Sequence, residues 1–245
     1  MDWAAYLARL GCPAPAAPSP EALQALHRAH LLAVPFENLD IHLGRPIALA
    51  EDALFDKIVR RRRGGFCYEL NGIFAALLGA LGFRVTLLSA EVARDEGGFG
   101  PPFDHLALRV DLDEPWLADV GFGEGFQAPL RLACTVDQRQ DTGLYRLTPD
   151  GPYRVLLRDA QPQYRFNLEP HALPEYAAMC RYHQTSPASS FTLQRICTLA
   201  TPDGRVTLSG MRFIETTRGR RRERGVVNEG EFRTLLRDRF GIDSL

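Results

Sequence analysis

The chain has 245 residues, 45% of them hydrophobic and 24% charged. This is ordinary globular composition, and a chain of this size buries about 70–75% of its unfolded surface, so disordered and fibrous classes are excluded. Twenty-nine Lys plus Arg oppose 30 Asp plus Glu for a formal net charge of -1, which leaves no whole-molecule field to recruit nucleic acid or anionic lipid. Lys57 is the only lysine among the basic residues; this reads as a coding bias and not as a site.

In chain order, the start Met-Asp-Trp-Ala-Ala-Tyr has an acid at position 2 and no basic region ahead of an apolar core, so no signal peptide is expected and the expected location is cytoplasmic. Up to Leu81 the period is helical. Leu23, Leu26, His27 and Leu31 share a face, and Pro20 followed by Glu21 suits a helix start. The uncharged stretch Leu70 to Phe83 falls short of the roughly 18 residues a membrane span needs. From Phe83 the period shortens to two. Arg84-Val-Thr-Leu-Leu, His105-Leu-Ala-Leu-Arg-Val, Trp116-Leu-Ala-Asp-Val and Tyr153-Arg-Val-Leu-Leu are short runs between Gly, Pro and Asp, as in an antiparallel sheet or small barrel. Beyond Pro187, Phe191–Leu199 and Arg205–Leu208 flank the hairpin signal Pro202-Asp-Gly, and Glu229–Phe240 predicts a closing amphipathic helix. The expected class is α+β in three parts: helical over 1–82, β-rich over 83–187, and a terminal α/β piece over 188–245.

The five cysteines (Cys12, Cys67, Cys134, Cys180, Cys197) are scattered and contain no CxxC pair, which argues for free thiols and against a disulfide framework or zinc cluster. Cys67 stands apart. It follows Arg63-Gly-Gly-Phe and precedes a buried stripe of Leu70, Ile73, Phe74, Leu77, Leu78 and Leu81, so it sits in the first turn of a helix. There the unpaired N–H groups and the macrodipole favour a thiolate and supply an oxyanion site at the Cys67 or Tyr68 backbone N–H. The Gly-Gly pair lets the chain turn sharply and leaves room for a substrate.

Of six histidines, only His105 lies in a strand whose neighbour carries an acid in place to orient it. If the turn Asp111–Pro115 is odd in length, Val110 faces Trp116, and Asp119 falls on the same side as His105 within side-chain reach. An even turn puts them on opposite faces. On one face, Asp119 would orient His105 as the base for Cys67. His27-Arg-Ala-His30 has metal-like helical spacing but nothing completes the set, so no metal is expected. The arginine runs Arg60–Arg63 and Arg218–Arg224 read first as solvated faces, and second as sites for phosphates.

These same residues carry a resemblance. Arg63-Gly-Gly-Phe-Cys67-Tyr-Glu-Leu-Asn71, Val34-Pro-Phe-Glu-Asn-Leu39, Asp119-Val-Gly-Phe-Gly123, Thr185-Ser-Pro-Ala-Ser-Ser-Phe191 and Gly204-Arg-Val-Thr-Leu-Ser-Gly210 are similar to stretches of the arylamine N-acetyltransferases, nearly end to end. The resemblance implies a cysteine-protease-like architecture of helical bundle, antiparallel β-barrel and α/β lid. It implies that Cys67 accepts the acetyl group, His105 is its base and Asp119 the orienting acid. It further implies acetyl-CoA as donor, arylamines or hydrazines as acceptors, Phe36, Phe122 and Phe191 at the acceptor pocket, and Tyr68 and Gly123 near the coenzyme. Glu37 and Arg63 match positions of a structural ion pair. Before His105 the chain has Asp104 where family members often carry a small polar residue, which alters the pocket and the acceptors it tolerates. Neither nucleic acid nor membrane is an expected partner, and a homodimer stays open. The competing readings are an amide synthase of the same family using carrier-bound acyl chains, a transglutaminase-like or papain-like cysteine hydrolase, and a non-enzymatic binding module whose Cys67 is no more reactive than the other thiols.

Overall fold

The computed structural model describes residues 1–243. The first third holds α1 (Trp3–Leu10), α2 (Pro20–Ala33), a two-residue strand β1 (Phe36–Glu37), α3 (Leu39–His42), α4 (Glu51–Phe55) continued by a π-helical turn at Asp56–Arg60, and α5 (Cys67–Ala80). Helix α2 begins at Pro20 as predicted, because the Ser19 hydroxyl accepts the Ala22 N–H at 3.1 Å and Pro20 has no N–H to leave unpaired. Helix α5 is buried on nearly every side, from Cys67 through Ala75 and again at Leu77 and Leu78. A helix that is apolar all round belongs in the centre of a core. Burying each of Leu70, Ile73, Phe74, Leu77 and Leu78, all at 0% exposure, stabilises the fold by about 1.5–3 kcal/mol relative to leaving it in water.

Strands β2 (Arg84–Val92), β3 (His105–Asp111), β4 (Pro115–Ala118), β5 (Leu130–Arg131), β6 (Gln138–Gln140), β7 (Gly143–Asp150), β8 (Tyr153–Arg158) and β9 (Gln161–Phe166) follow. They form one antiparallel sheet in the order β5-β4-β3-β2-β9-β8-β7-β6, curled into a nearly closed barrel. Strand β3 decides the geometry of the site, because its alternation separates two cores. Leu106, Leu108 and Val110 pack with α5 in the helical core, whereas Ala107 joins Leu117, Phe126, Tyr145 and Tyr164 in the barrel interior. His105 shares the parity of Ala107 and so points to the barrel side.

The segment after β9 is helical again, with a 3₁₀ turn at Leu173–Tyr176, α6 (Ala177–Thr185) and α7 (Ser190–Leu193). Tyr176 and Cys180 complete the helical core, so the stretch 83–187 contributes to both layers. Strands β10 (Ile196–Thr201), β11 (Gly204–Ser209), β12 (Arg212–Thr217) and β13 (Arg220–Gly225) form meandering hairpins, the first turning at Pro202–Asp203 as predicted. Helix α8 (Glu229–Phe240) buries Phe232, Leu235, Leu236 and Phe240 against this second sheet. Strand β1 completes that sheet, Phe36 pairing with Thr198 and Glu37 with Cys197. The first and last thirds are thereby joined by backbone hydrogen bonds, a link that the helical period of the first third did not reveal. Among the described residues no helix is long and apolar enough to cross a membrane.

Candidate active site

Cys67 is the first residue of α5, preceded by Phe66 in extended conformation. The helix start is held from behind by buried charges. Glu69 accepts the Phe66 N–H at 3.1 Å through Oε2, and its Oε1 accepts from Lys57 Nζ at 2.8 Å. Lys57 also meets Asp40 at 2.8 Å; Asp40 lies 3.1 Å from Arg63; and Arg63 donates to Glu37 through Nε and Nη2 at 3.0 and 2.7 Å. The Glu37–Arg63 pair therefore forms as expected. The sole lysine is no coding accident but the buried hub of this network of ion pairs. Nor do the glycines before Cys67 open space for a substrate. A Cβ on Gly64 would stand 2.0 Å from the Pro35 carbonyl oxygen, so Gly64 serves close backbone packing against the residue before β1.

The β3–β4 turn is odd in length. Val110 pairs with Trp116 and Asp111 with Pro115, so His105 and Asp119 share a face, and His105 Nε2 lies 2.7 Å from Asp119 Oδ2. The other oxygen of Asp119 accepts from Asn71 Nδ2 at 2.8 Å and from the Gly121 N–H at 2.9 Å. Asn71 accepts the Val120 N–H at 2.9 Å, so a residue one turn beyond Cys67 clamps the loop that carries Asp119. Its position in the motif, four after the cysteine on the same helical face, was the available signal. His27 adds a second clamp, its Nε2 accepting the Asp119 N–H and its Nδ1 donating to the Gln127 carbonyl, both at 3.1 Å. That use of His27 is structural. Among the described residues no group of three or more His, Cys, Asp or Glu side chains could hold a metal ion.

The His105 ring is packed between Phe122 and Tyr164, with centroids 5.2 and 5.1 Å away. Gly121 is a glycine of necessity: a Cβ there would come 2.8 Å from Cys67 Cα and 2.7 Å from Asn71 Nδ2. The loop after Asp119 thus lies directly on the start of α5.

Electrostatics at the two acids differ. Burial alone would raise the Asp119 carboxyl, but the His105 charge and hydrogen bonds from His105, Asn71 and Gly121 outweigh it and hold the group below the ordinary carboxylate value. For Cys67 burial wins. It pushes the thiol well above its usual value, against a hydrogen bond with the Leu106 backbone, and nearby Cys180, Asp119 and Asp104 add to the rise. The helix start alone does not make a thiolate here, contrary to the expectation from position.

Cys67 and His105 open onto one cavity of about 420 Å³, within the range of small-molecule sites. Phe36, Phe122, Phe191 and Gly123 line it, together with Val92, Ile196, Asp104 and His183. Tyr68 does not. Its buried phenol donates to the carbonyl oxygens of Phe103 and Asp104 at 2.7 and 3.1 Å, so only its backbone N–H remains for the site. A second cleft of about 700 Å³ adjoins at Glu124 and Thr207 and is lined by Arg158, Arg205, Arg218 and Arg221. Arg60 and Arg61 instead lie outside, paired with Asp56.

A family model described as N-acetyltransferase matches residues 20–244. The arylamine N-acetyltransferase / N-hydroxyarylamine O-acetyltransferase of Salmonella typhimurium is 37% identical over 246 residues, covering 97% of this chain and 88% of the relative. The solved arylamine N-acetyltransferase structure from that organism superposes with a TM-score of 0.94 at 35% identity, covering 99% of this chain and 92% of the other. The Mycobacterium marinum arylamine N-acetyltransferase, solved in complex with CoA, superposes with a TM-score of 0.91 at 33% identity over 99% of this chain and 93% of that one. With sequence and fold matched over nearly the whole length, the chain belongs to the arylamine N-acetyltransferase family.

Proposed function

We propose that the chain transfers an acetyl group from acetyl-CoA to an aromatic amine or hydrazine through a thioester on Cys67, with His105 as proton carrier and Asp119 as the acid that orients it. The observation that carries this reading is the meeting in one cavity of a thiol at a helix start and an imidazole bonded to a buried carboxylate. The relative solved with CoA supports that donor.

In the first half-reaction His105 takes the Cys67 proton and the sulfur attacks the acetyl carbonyl. The first N–H groups of α5 lack partners within the helix and face the developing oxyanion. The tetrahedral species collapses by breaking the bond to the CoA sulfur, which leaves with the proton from His105. In the second half-reaction the amine attacks the acetyl carbon on Cys67, its proton passes to His105, and the Cys67 sulfur is released. One thioester is exchanged for another, so the first half is close to balanced in energy. Phe36, Phe122 and Phe191 would sandwich the aromatic acceptor, Gly123 would lie beside the coenzyme, and the arginines of the adjoining cleft would meet its phosphates.

Intact-protein mass spectrometry after mixing with acetyl-CoA and no amine tests the reading. The expected result is a gain of one acetyl group, lost on adding an arylamine and absent in Cys67→Ala. Failure to acetylate while a carrier-bound acyl chain does load the protein would favour an amide synthase. Hydrolysis of an amide with no thioester donor would favour a cysteine hydrolase.

A further inference from the structure

Among the described residues the barrel sheet ends at β5 on one side and at β6 on the other, so no backbone ladder closes it. Two glutamines of β6 bridge the seam with their side chains. Gln138 Oε1 accepts the Arg131 N–H at 2.8 Å, and its Nε2 donates to the Arg131 carbonyl at 3.1 Å. Gln140 Oε1 accepts the N–H groups of both Gln127 and Ala128 at 2.9 Å, and its Nε2 donates to the Ala128 carbonyl at 2.7 Å. Each amide thus offers the donor and the acceptor that a paired strand would present. The two grips end in different places. Arg131 lies at the exposed edge of β5, whereas segment 126–128 ends on the clamp behind the His105–Asp119 pair. The Phe126 ring stacks on His27 at 5.6 Å with 9° between the planes, and the Gln127 carbonyl stands 3.1 Å from His27 Nδ1. A carbonyl oxygen only accepts, so it draws the one proton of this imidazole, which burial keeps neutral, to Nδ1. The Nε2 lone pair is then left for the Asp119 N–H at 3.1 Å. With the Gln127 carbonyl displaced, the proton is free to settle on Nε2 and face the Asp119 carbonyl, also 3.1 Å away, and the Asp119 N–H loses its acceptor.

We infer that Gln140 is a positioning residue for the proposed reaction: from the far edge of the barrel it holds the Gln127 carbonyl, that carbonyl selects the tautomer of His27, and His27 in that tautomer holds the backbone of Asp119 against His105. A side chain serving only to close the seam would grip the facing strand, as Gln138 does. Gln140 instead fixes two successive N–H groups of the segment that abuts His27, the residue between that segment and the orienting acid. His27 itself is fully buried, so a tautomer that leaves the Asp119 N–H unpaired has no water to repair it.

The inference rests on the reading that Asp119 orients His105 for Cys67, but its test needs no acetyl transfer. NMR of the protein with isotope-labelled histidine reads the tautomer of His27 and the proton between His105 Nε2 and Asp119 Oδ2, which lie 2.7 Å apart. Gln140→Met, similar in length but without the amide, should take His27 out of the Nδ1–H form and shift or broaden the His105 proton. It should also slow alkylation of Cys67 by iodoacetamide by about threefold to thirtyfold, the range over which contiguous networks tune a distant site. Gln138→Met should lower Tm while leaving these three readouts as in the parent. Because the path runs through His27, adding Gln140→Met to His27→Gln should slow alkylation by less than about twofold more. Should Gln140→Met fail to fold, Gln140→Glu keeps the acceptor for both N–H groups, loses the donor to Ala128, and should place the same readouts between parent and the His27→Gln variant. An unchanged His27 tautomer and alkylation rate in whichever Gln140 variant folds, equal effects of the Gln138 and Gln140 variants, or full additivity with His27→Gln would each overturn the inference. Failure of Cys67 to acquire an acetyl group, with the His105 proton still responding to Gln140, would instead remove the proposed function and leave the positioning standing.

Discussion

Asp119→Asn separates orientation of the imidazole from folding, and its effect can be worked atom by atom. Oδ1 faces two donors, Asn71 Nδ2 and the Gly121 N–H, so the amide oxygen of asparagine must remain there. The amide NH₂ then occupies the place of Oδ2, 2.7 Å from His105 Nε2. An NH₂ in that place can only donate, which forces the imidazole proton onto Nδ1 and blocks the nitrogen that must receive the Cys67 proton. The same exchange in a serine-protease triad costs about 10⁴ in rate, or about 5 kcal/mol in barrier. Stability should move far less. Two of the three hydrogen bonds persist, and exchanging the third for a neutral one costs about 1–3 kcal/mol, a fall of about 2–12 °C in Tm for a chain of this size. Time-resolved mass spectrometry of acetylation, beside a thermal melt, reads both quantities. Acetylation within tenfold of the parent rate at an unchanged Tm would remove Asp119 from the mechanism.

Burial pushes the His27 imidazole down to about 4 from about 6.5 when unfolded, so the unfolded chain binds that proton more tightly. Its contribution to stability is complete above about pH 6.5 and is lost as pH falls through about 4, and urea melts should show about 2 kcal/mol lost between pH 7 and pH 5; a loss no smaller in His27→Gln would assign the acid limb elsewhere. Lys57→Met strands the Glu69 carboxylate and leaves Asp40 only Arg63 and Arg45 as cationic partners, both acids being nearly inaccessible, and should cost about 3–5 kcal/mol, with adding Glu69→Gln restoring part of it; a loss under 1 kcal/mol would contradict the burial argument. Limiting iodoacetamide should label Cys67 ahead of Cys12, Cys134, Cys180 and Cys197, and His105→Gln should abolish that lead; peptide mapping that finds equal labelling in the parent refutes the pairing. If the acetyl group passes through Cys67, CoA departs before the amine reacts and double-reciprocal plots at several amine concentrations should be parallel, whereas intersecting lines would indicate direct transfer.

Where periodicity was strong the elements could be read to the residue, as at the Pro20 start of α2 and in α8 over Glu229–Phe240. The relation of His105 to Asp119 could not, because it turns on the parity of a five-residue polar stretch that carries no period. Pairing of Asp111 with Pro115 leaves three residues in the loop and settles the parity. Phe191 lies on a four-residue helix and Phe36 on a two-residue strand, both too short for any pattern. Their approach, 6.1 Å between ring centroids, comes from β1 pairing with β10 across 160 residues of chain. His183 was one histidine among six, on a helix whose polar sequence gave no reason to place it at a cavity. Lys57 shows a different limit. Composition marked it as singular, but only its depth between Asp40 and Glu69 gives it a role.

Magnitudes decide what activates the thiol. A helix start offers a charge about 0.3–1 kcal/mol, and up to about 2 in favourable geometry, whereas desolvating an ion in a protein interior costs several kcal/mol. Cys67 has 3% of its surface exposed, and the charges behind its helix do not help. Arg63 and Lys57 face Glu37, Asp40 and Glu69, two cations against three carboxylates. A thiolate at Cys67 therefore requires its own counter-ion, and His105 is the one basic group beside it in the cavity that is bonded to a buried carboxylate. The order of dependence follows. In the proposed mechanism Asn71, His27 and the Gly121 N–H hold Asp119, Asp119 orients His105, and His105 receives the Cys67 proton. Removing any member should slow alkylation of Cys67 toward that of the buried Cys180, and the alkylation rate in Asn71→Ala should show this even where the fold is retained.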